Sequence, residues 1–156
     1  MIRIDIPDFG ALRLEHIVLD YNGTLAVDGL PVDGAKEALR ALSKDITVHV
    51  LTADTFGKVN AEMADVPCTI TVLGLDAQDR AKEEYVTRLG TDAVVAVGNG
   101  RNDRRMLKTS ALGIAVLLAE GASALTLQAA DVVCKDILSA LDLLSHPKRL
   151  IATLRS

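Results

Sequence analysis

Asp20 closes the apolar run His-Ile-Val-Leu-Asp (16–20), and Gly23 and Thr24 follow at once. Glycine permits a tight turn whose N–H groups can point at an anion. A carboxylate so placed can attack phosphorus and form an aspartyl-phosphate. An aspartate before Asn-Gly is equally an ordinary strand terminator. Thr52 ends a second apolar run, where its hydroxyl could hold a phosphoryl oxygen or cap a helix. Lys82 stands in the polar stretch Ala-Gln-Asp-Arg-Ala-Lys-Glu-Glu-Tyr-Val. It could neutralise a phosphoryl group or lie on a solvated face, and Arg80 competes for the same role.

The stretch Val-Gly-Asn-Gly-Arg-Asn-Asp (97–103) is more specific. Gly98-x-Gly100 after an apolar strand suggests a dinucleotide fold, but the third glycine of that fingerprint is replaced by Asp103, and the turn comes late in the chain. Asp103 and the amide of Asn99 or Asn102 offer the oxygen ligands that Mg²⁺ prefers.

The elements that would position these residues follow from periodicity. Residues 1–15 alternate around Pro-Asp-Phe-Gly and predict a β-hairpin. Strand and helix then alternate. Strands are expected at 16–20, 46–52, 68–73, 93–99, 112–117 and 131–134. Helices are expected at 34–43 with Asp33 as N-cap, at 56–66 with Thr55 as N-cap, and at 76–90, 102–110, 122–130 and 136–145, the last stopping before Pro147. This order implies an α/β, Rossmann-like domain of three layers, a mainly parallel sheet with helices on both faces. Such sheets bind ligands at the carboxyl ends of their strands. Asp20, Thr52, the Gly-Leu-Asp-Ala-Gln-Asp loop, the Gly-Asn-Gly-Arg-Asn-Asp loop and the residues after Gly-Ile-Ala-Val therefore carry most weight.

The 156 residues suit one domain, 1–156, and 49% hydrophobic residues supply its core. Aromatic residues are only 3%, so aliphatic side chains must build that core, as in buried parallel strands. A net charge of −4 gives no electrostatic footprint for nucleic acid. Cys68 and Cys134 lie far apart in apolar runs and read as reduced, buried thiols. No signal-peptide pattern opens the chain and no apolar run reaches membrane length, so a soluble, cytoplasmic protein is expected.

The ordered set Asp-x-x-Gly-Thr, Thr, Lys, Gly-x-Gly-x-x-Asp resembles the haloacid dehalogenase superfamily of phosphohydrolases and phosphotransferases, over roughly residues 16–145. The stretch VGNGRNDRRMLKTSALGIAV is similar to the phosphorylation domain of P-type ATPases, so the closest description is a soluble, P-type-ATPase-like member. The resemblance implies that Asp20 is the nucleophile and that Mg²⁺ is held by Asp20, the main-chain carbonyl of Asn22, Asn99 and Asp103. It implies that Asp20, Gly23, Thr52, Ala53 and Lys82 surround the phosphoryl group.

Two residues depart from the superfamily pattern. Most of its phosphatases carry an aspartate two residues after the nucleophile, as general acid and then general base. Asn22 has no proton to transfer near neutral pH, and losing a general acid costs about 10²–10⁴-fold in rate. Slow turnover is expected, with preference for leaving groups that need no proton, such as acyl phosphates and nucleotide anhydrides. Asn99 replaces an aspartate, which predicts weaker but not absent metal binding. Both positions are Asn-Gly pairs, a sequence prone to deamidation.

Superfamily members often carry a cap domain that selects the substrate. Here the gap Ala-Val-Asp-Gly-Leu-Pro-Val-Asp-Gly (26–34) holds only a hairpin-like flap and the Gly-Leu-Asp-Ala-Gln-Asp loop is short, so no cap is expected. An open site would meet a phosphorylated macromolecule or a small molecule, or be closed by a neighbouring subunit in a homo-oligomer. Three readings stand: an Mg²⁺-dependent phosphohydrolase or phosphotransferase acting through Asp20; a phosphate- or nucleotide-binding module with little turnover; and a receiver-like signalling domain. A receiver would want its acceptor aspartate after the third strand, which Asp20 does not satisfy. Multiple turnover separates the first two.

Overall fold

The computed structural model describes residues 1–54 and 57–156. Strands β1 (Ile2–Ile6) and β2 (Gly10–Leu14) form the expected antiparallel hairpin, turning through Asp8 at φ 64°. Its alternating pattern buries Ile4, Ile6, Leu12 and Leu14 on one side and leaves the charged residues outside.

Six strands make the central sheet: β3 (His16–Asp20), β6 (Thr47–Thr52), β7 (Thr69–Val72), β8 (Val94–Gly98), β9 (Leu112–Val116) and β10 (Val132–Cys134). They run parallel in the order β10-β9-β8-β3-β6-β7. The central sheet starts at β3, proceeds outward through β6 to β7, then returns to β8 on the other side of β3. The topological switch lies between β3 and β8, where a parallel sheet opens a crevice at its carboxyl edge.

Strands β8 and β9 are buried along their whole length, which explains their unbroken apolar sequences. Alternate residues feed two cores. Ile17, Leu19, Val95, Val97, Ile114 and Val116 belong to one, packed under α1 (Ala35–Leu42) and α6 (Ile137–Ser145). Val18, Leu51, Ala96 and Ala115 belong to the other, with Val86 of α3 (Gln78–Leu89) and Met106 and Leu107 of α4 (Arg104–Thr109). Asp20 shares the parity of Val18 and so faces the α3 side.

The remaining α-helices among the described residues are α2 (Lys58–Glu62), α5 (Ala124–Ala129) and α7 (Pro147–Leu154). Three details differ from the sequence expectation. Asp33 does not cap α1; Gly34 does, at φ 83°. Helix α2 is shorter than residues 56–66, and its expected cap Thr55 lies outside the described residues. Helix α6 stops before Pro147 as expected, but a further, unexpected helix, α7, then starts at Pro147, since a proline at the first helical position loses no hydrogen bond. Helix α7 packs on β1 and buries Leu150.

At the two places where a cap would enter, the structure holds little. Strands β4 (Ala26–Val27) and β5 (Leu30–Pro31) pair as a small flap, and residues 73–77 link β7 to α3. No helix among the described residues is long and apolar enough to cross a membrane.

Candidate active site

Asp20 ends β3 at the switch point, its side chain 13% exposed. Lys82 reaches it from α3, with Nζ 2.6 Å from Asp20 Oδ1. The same ammonium donates to Asp103 Oδ1 at 2.6 Å. Helix α3 is polar and buries only Lys82 and Val86, one turn apart on one face. Arg80, the competing cation, is exposed. Helix phase thus brings Lys82, and not Arg80, to Asp20.

A hydrogen-bonded chain seats α3 on the sheet. Tyr85 lies within 3.0 Å of His49 Nδ1 and accepts from Thr71 at 3.4 Å, and His49 Nε2 lies 3.1 Å from His16 Nδ1. Burial, helped by His16, pushes His49 down to about 4, so it is neutral in this chain at ordinary pH.

Asp103 is fully buried. Its Oδ2 accepts from the backbone N–H groups of Asn99 (3.0 Å) and Gly100 (2.8 Å), while Oδ1 holds Lys82. The aspartate thus sits behind the loop, closing it on itself and aiming the lysine. A Cβ on Gly98 would lie 2.5 Å from the Asp103 side chain, so only glycine admits this approach.

Gly23 serves the same end at φ 80°: a Cβ there would sit 2.4 Å from the Asn99 amide. Buried Thr24 has its hydroxyl 3.3 Å from Asn99 Oδ1 and 3.5 Å from Asp20 Oδ2. The Asn99 amide nitrogen donates to the carbonyl of Gly121 at 2.8 Å.

These residues enclose a cavity of about 230 Å³ lined by Asp20, Asn22, Thr52, Ala53, Asn99 and Glu120, among others. Thr52 accepts from the N–H of Asp54 at 3.1 Å, which orients its hydroxyl. Every site residue expected from sequence falls on or beside this cavity: Asp20, Asn22, Thr52, Ala53 and Asn99 line it, Lys82 and Asp103 stand behind, and Gly23 packs on Asn99. Gln78, Asn102 and Glu120 also line it. Glu120 had no motif to mark it; only its place after the Gly-Ile-Ala-Val strand pointed there.

The electrostatics are unbalanced by design of the fold. One cation serves two buried carboxylates. Burial raises the Asp20 carboxyl and the Asp103 charge raises it further, to about 7, against the opposing pull of Lys82. Burial alone would lower the Lys82 ammonium, but Asp20 and Asp103 outweigh it and hold it above its ordinary value. Perturbed groups gathered at a strand-end crevice are the mark of a functional site.

Comparison with known proteins agrees with this fold. No protein-family model matches the chain. An uncharacterised protein of Methanocaldococcus jannaschii, MJ0073, is 50% identical over 62 residues, which is 40% of this chain and 67% of that protein. A second protein of the same organism, MJ0072, is 46% identical over 39 residues, 25% of this chain and 89% of its own length. Among solved structures, a Legionella pneumophila protein described as a subfamily III A hydrolase of the haloacid dehalogenase (HAD) superfamily superposes with TM-score 0.72 at 18% identity, covering 90% of this chain and 87% of its own. The chain has the HAD fold and belongs to the family of the archaeal protein MJ0073. The 3-deoxy-D-manno-octulosonate 8-phosphate phosphatase of Moraxella catarrhalis, solved with magnesium, phosphate and KDO, matches this HAD fold with TM-score 0.71 at 16% identity over 91% of this chain and 94% of its own. The cobalt-bound deoxy-D-mannose-octulosonate 8-phosphate phosphatase of Haemophilus influenzae matches with TM-score 0.72 at 14% identity over 92% and 94%.

Proposed function

We propose that this HAD-fold chain is a phosphohydrolase or phosphotransferase that works through an aspartyl-phosphate on Asp20. The observation that carries the reading is the buried Lys82 ammonium 2.6 Å from Asp20 Oδ1 at the carboxyl edge of the central strand. The lysine occupies Oδ1. Oδ2, whose hydroxyl neighbour Thr24 is 3.5 Å away, is left to attack phosphorus. Thr52 and the adjoining backbone hold the equatorial oxygens, and Lys82 neutralises charge as it develops. The phosphatase names and the bound phosphate of the Moraxella structure support this reading.

The lining residues Asp20, Asn22 and Asn99 offer oxygen donors of the kind a hard divalent cation such as Mg²⁺ takes: the Asp20 carboxylate, the main-chain carbonyl of Asn22 and the amide oxygen of Asn99 would hold it. No group of three or more His, Cys, Asp or Glu side chains able to hold a metal occurs among the described residues, so water and substrate phosphate would complete the set. A bound Mg²⁺ would supply charge neutralisation to the phosphoryl oxygens. Asp103, with both oxygens engaged, acts in this reading through Lys82 and the loop backbone.

Asn22 lines the cavity where a leaving group departs, and it cannot protonate one. Acyl phosphates and phosphoanhydrides, whose leaving groups depart without a proton, are the favoured substrates.

The test is phosphate release from acetyl phosphate and p-nitrophenyl phosphate, with Mg²⁺ and with EDTA, beside Asp20→Asn. Release by the wild type alone, abolished by EDTA, is expected. Release that survives Asp20→Asn would overturn the assignment of the nucleophile. No release from either substrate would leave a phosphate-binding module.

A further inference from the structure

Hydrolysis of an aspartyl-phosphate needs a base to take a proton from the attacking water. Asn22 cannot be that base. The cavity nevertheless contains a second carboxylate that no sequence motif marks. Glu120, in the loop between β9 and α5, lines the same 230 Å³ cavity as Asp20 and Asn22. It is exposed and its carboxylate has no hydrogen-bond or ion-pair partner among the described residues.

The loop that carries Glu120 is tied to the catalytic loop. Asn99 donates from its amide to the carbonyl of Gly121, the next residue, at 2.8 Å. The N–H of Ser123 donates to the carbonyl of Asn99 at 2.9 Å. Thr126 donates to the carbonyl of Gly100 at 2.6 Å. Within the loop, Gly121 donates to Leu118 at 2.9 Å and takes φ 72°, forming the turn that presents Glu120. An aspartate at position 99 has no N–H to give and would set a carboxylate oxygen against the Gly121 carbonyl. The two departures from the superfamily pattern are thus joined: the amide at 99 fastens a carboxylate over the cavity whose position 22 lacks one.

We infer that Glu120 is the general base for hydrolysis of the aspartyl-phosphate, an assignment that rests on Asp20 being phosphorylated. The water oxygen forms a bond to phosphorus. The bond between phosphorus and Asp20 Oδ2 breaks, and its electron pair returns to the Asp20 carboxylate. The water proton passes to the Glu120 carboxylate, which later releases it to solvent. Orthophosphate leaves. The first step, attack by Asp20, uses no proton from Glu120 when the leaving group is an acyl or phosphoryl anion.

The experiment separates formation of the phosphoenzyme from its decay. Wild type, Glu120→Gln and Glu120→Asp are labelled with radioactive acetyl phosphate and Mg²⁺, the hydroxylamine-sensitive label is quantified, and its loss is followed after a chase with unlabelled substrate. Glu120→Gln is expected to label and then lose label about 10²–10³-fold more slowly than wild type. Glu120→Asp, which keeps the base on a shorter arm, is expected to fall between them. Decay of the Gln variant at the wild-type rate overturns the assignment of Glu120 alone. Labelling and decay slowed in equal proportion also overturn it, since that would make Glu120 a substrate-holding group. Absence of hydroxylamine-sensitive label in both the wild type and Glu120→Gln overturns the aspartyl-phosphate reading and this inference with it. Glu120 is exposed and has no side-chain partner among the described residues, so its variants retain the fold.

Discussion

Lys82 and Asp103 form an ion pair at 2.6 Å in which both side chains are almost or wholly shut off from water. Neither residue opens to the cavity by itself. The pair aims the lysine at Asp20 and closes the loop that carries Asn99. Removing the lysine strands the buried Asp103 carboxylate, which costs about 3–5 kcal/mol. Lys82→Met should therefore lower the free energy of unfolding by roughly that amount in urea denaturation. An unchanged unfolding midpoint would show that the pair contributes nothing beyond a hydrophobic contact.

Asp20 carries the opposite sign. Its folded carboxyl titrates near 7, against 3.8 ordinarily, so between these values the folded chain holds a proton that the unfolded chain has released. Stability contributed by this group is therefore present at low pH and lost as pH rises through 7. Asp20→Asn should stabilise metal-free protein at pH 8 by about 2–4 kcal/mol, with the gain shrinking toward pH 4. The check is chemical denaturation of both proteins across that range in EDTA. A gain that grows toward acid would reverse the sign and contradict the buried, under-neutralised carboxylate.

Asn22→Asp should restore a proton donor to the cavity. Hydrolysis of an alkyl phosphate such as phosphoserine is expected to rise by about 10²–10³-fold, and that of acetyl phosphate far less. Equal gains on both substrates would mean that position 22 acts on binding and not on the leaving group.

Tyr85→Phe removes the hydroxyl that meets His49 and Thr71 beneath α3. It should cost about 1–3 kcal/mol of stability by leaving the buried His49 nitrogen without a partner. The same variant should lower kcat, because Lys82 sits one turn before Tyr85 on that helix. Thermal unfolding and turnover measured on one preparation would show whether the two losses travel together.

The Asn-Gly pairs at 22–23 and 99–100 should resist deamidation despite their sequence. Succinimide formation needs the glycine nitrogen to attack the asparagine side chain. Gly23 N–H donates to Ala26 at 2.8 Å, and Gly100 N–H donates to Asp103 at 2.8 Å. Both nucleophiles are held in hydrogen bonds. Intact mass after prolonged incubation at neutral pH should show no one-dalton gain in the folded protein, and a gain once it is unfolded. A gain in the folded state would show that these turns open readily.

The amino-acid sequence by itself determined the sheet and the order of its strands and helices, because burial on both faces of a parallel sheet leaves unbroken apolar runs and amphipathic helices between them. It also placed Asp20, Thr52 and the Gly98–Asp103 loop at strand ends, since a polar residue that closes such a run can only stand at the sheet's edge. Only the tertiary structure brought Lys82, and not Arg80, to Asp20, because the phase of α3 on the sheet depends on Val86 and on the Tyr85 contacts. Only it set Asp103 behind the cavity, where two backbone N–H groups and Lys82 engage its oxygens. Only it joined Asn99 to the loop of Glu120, 21 residues further on. Local patterns record which side chains a strand or helix buries; they do not record which loops meet at one edge of the sheet, and the acids, amides and cation of this site come together only there.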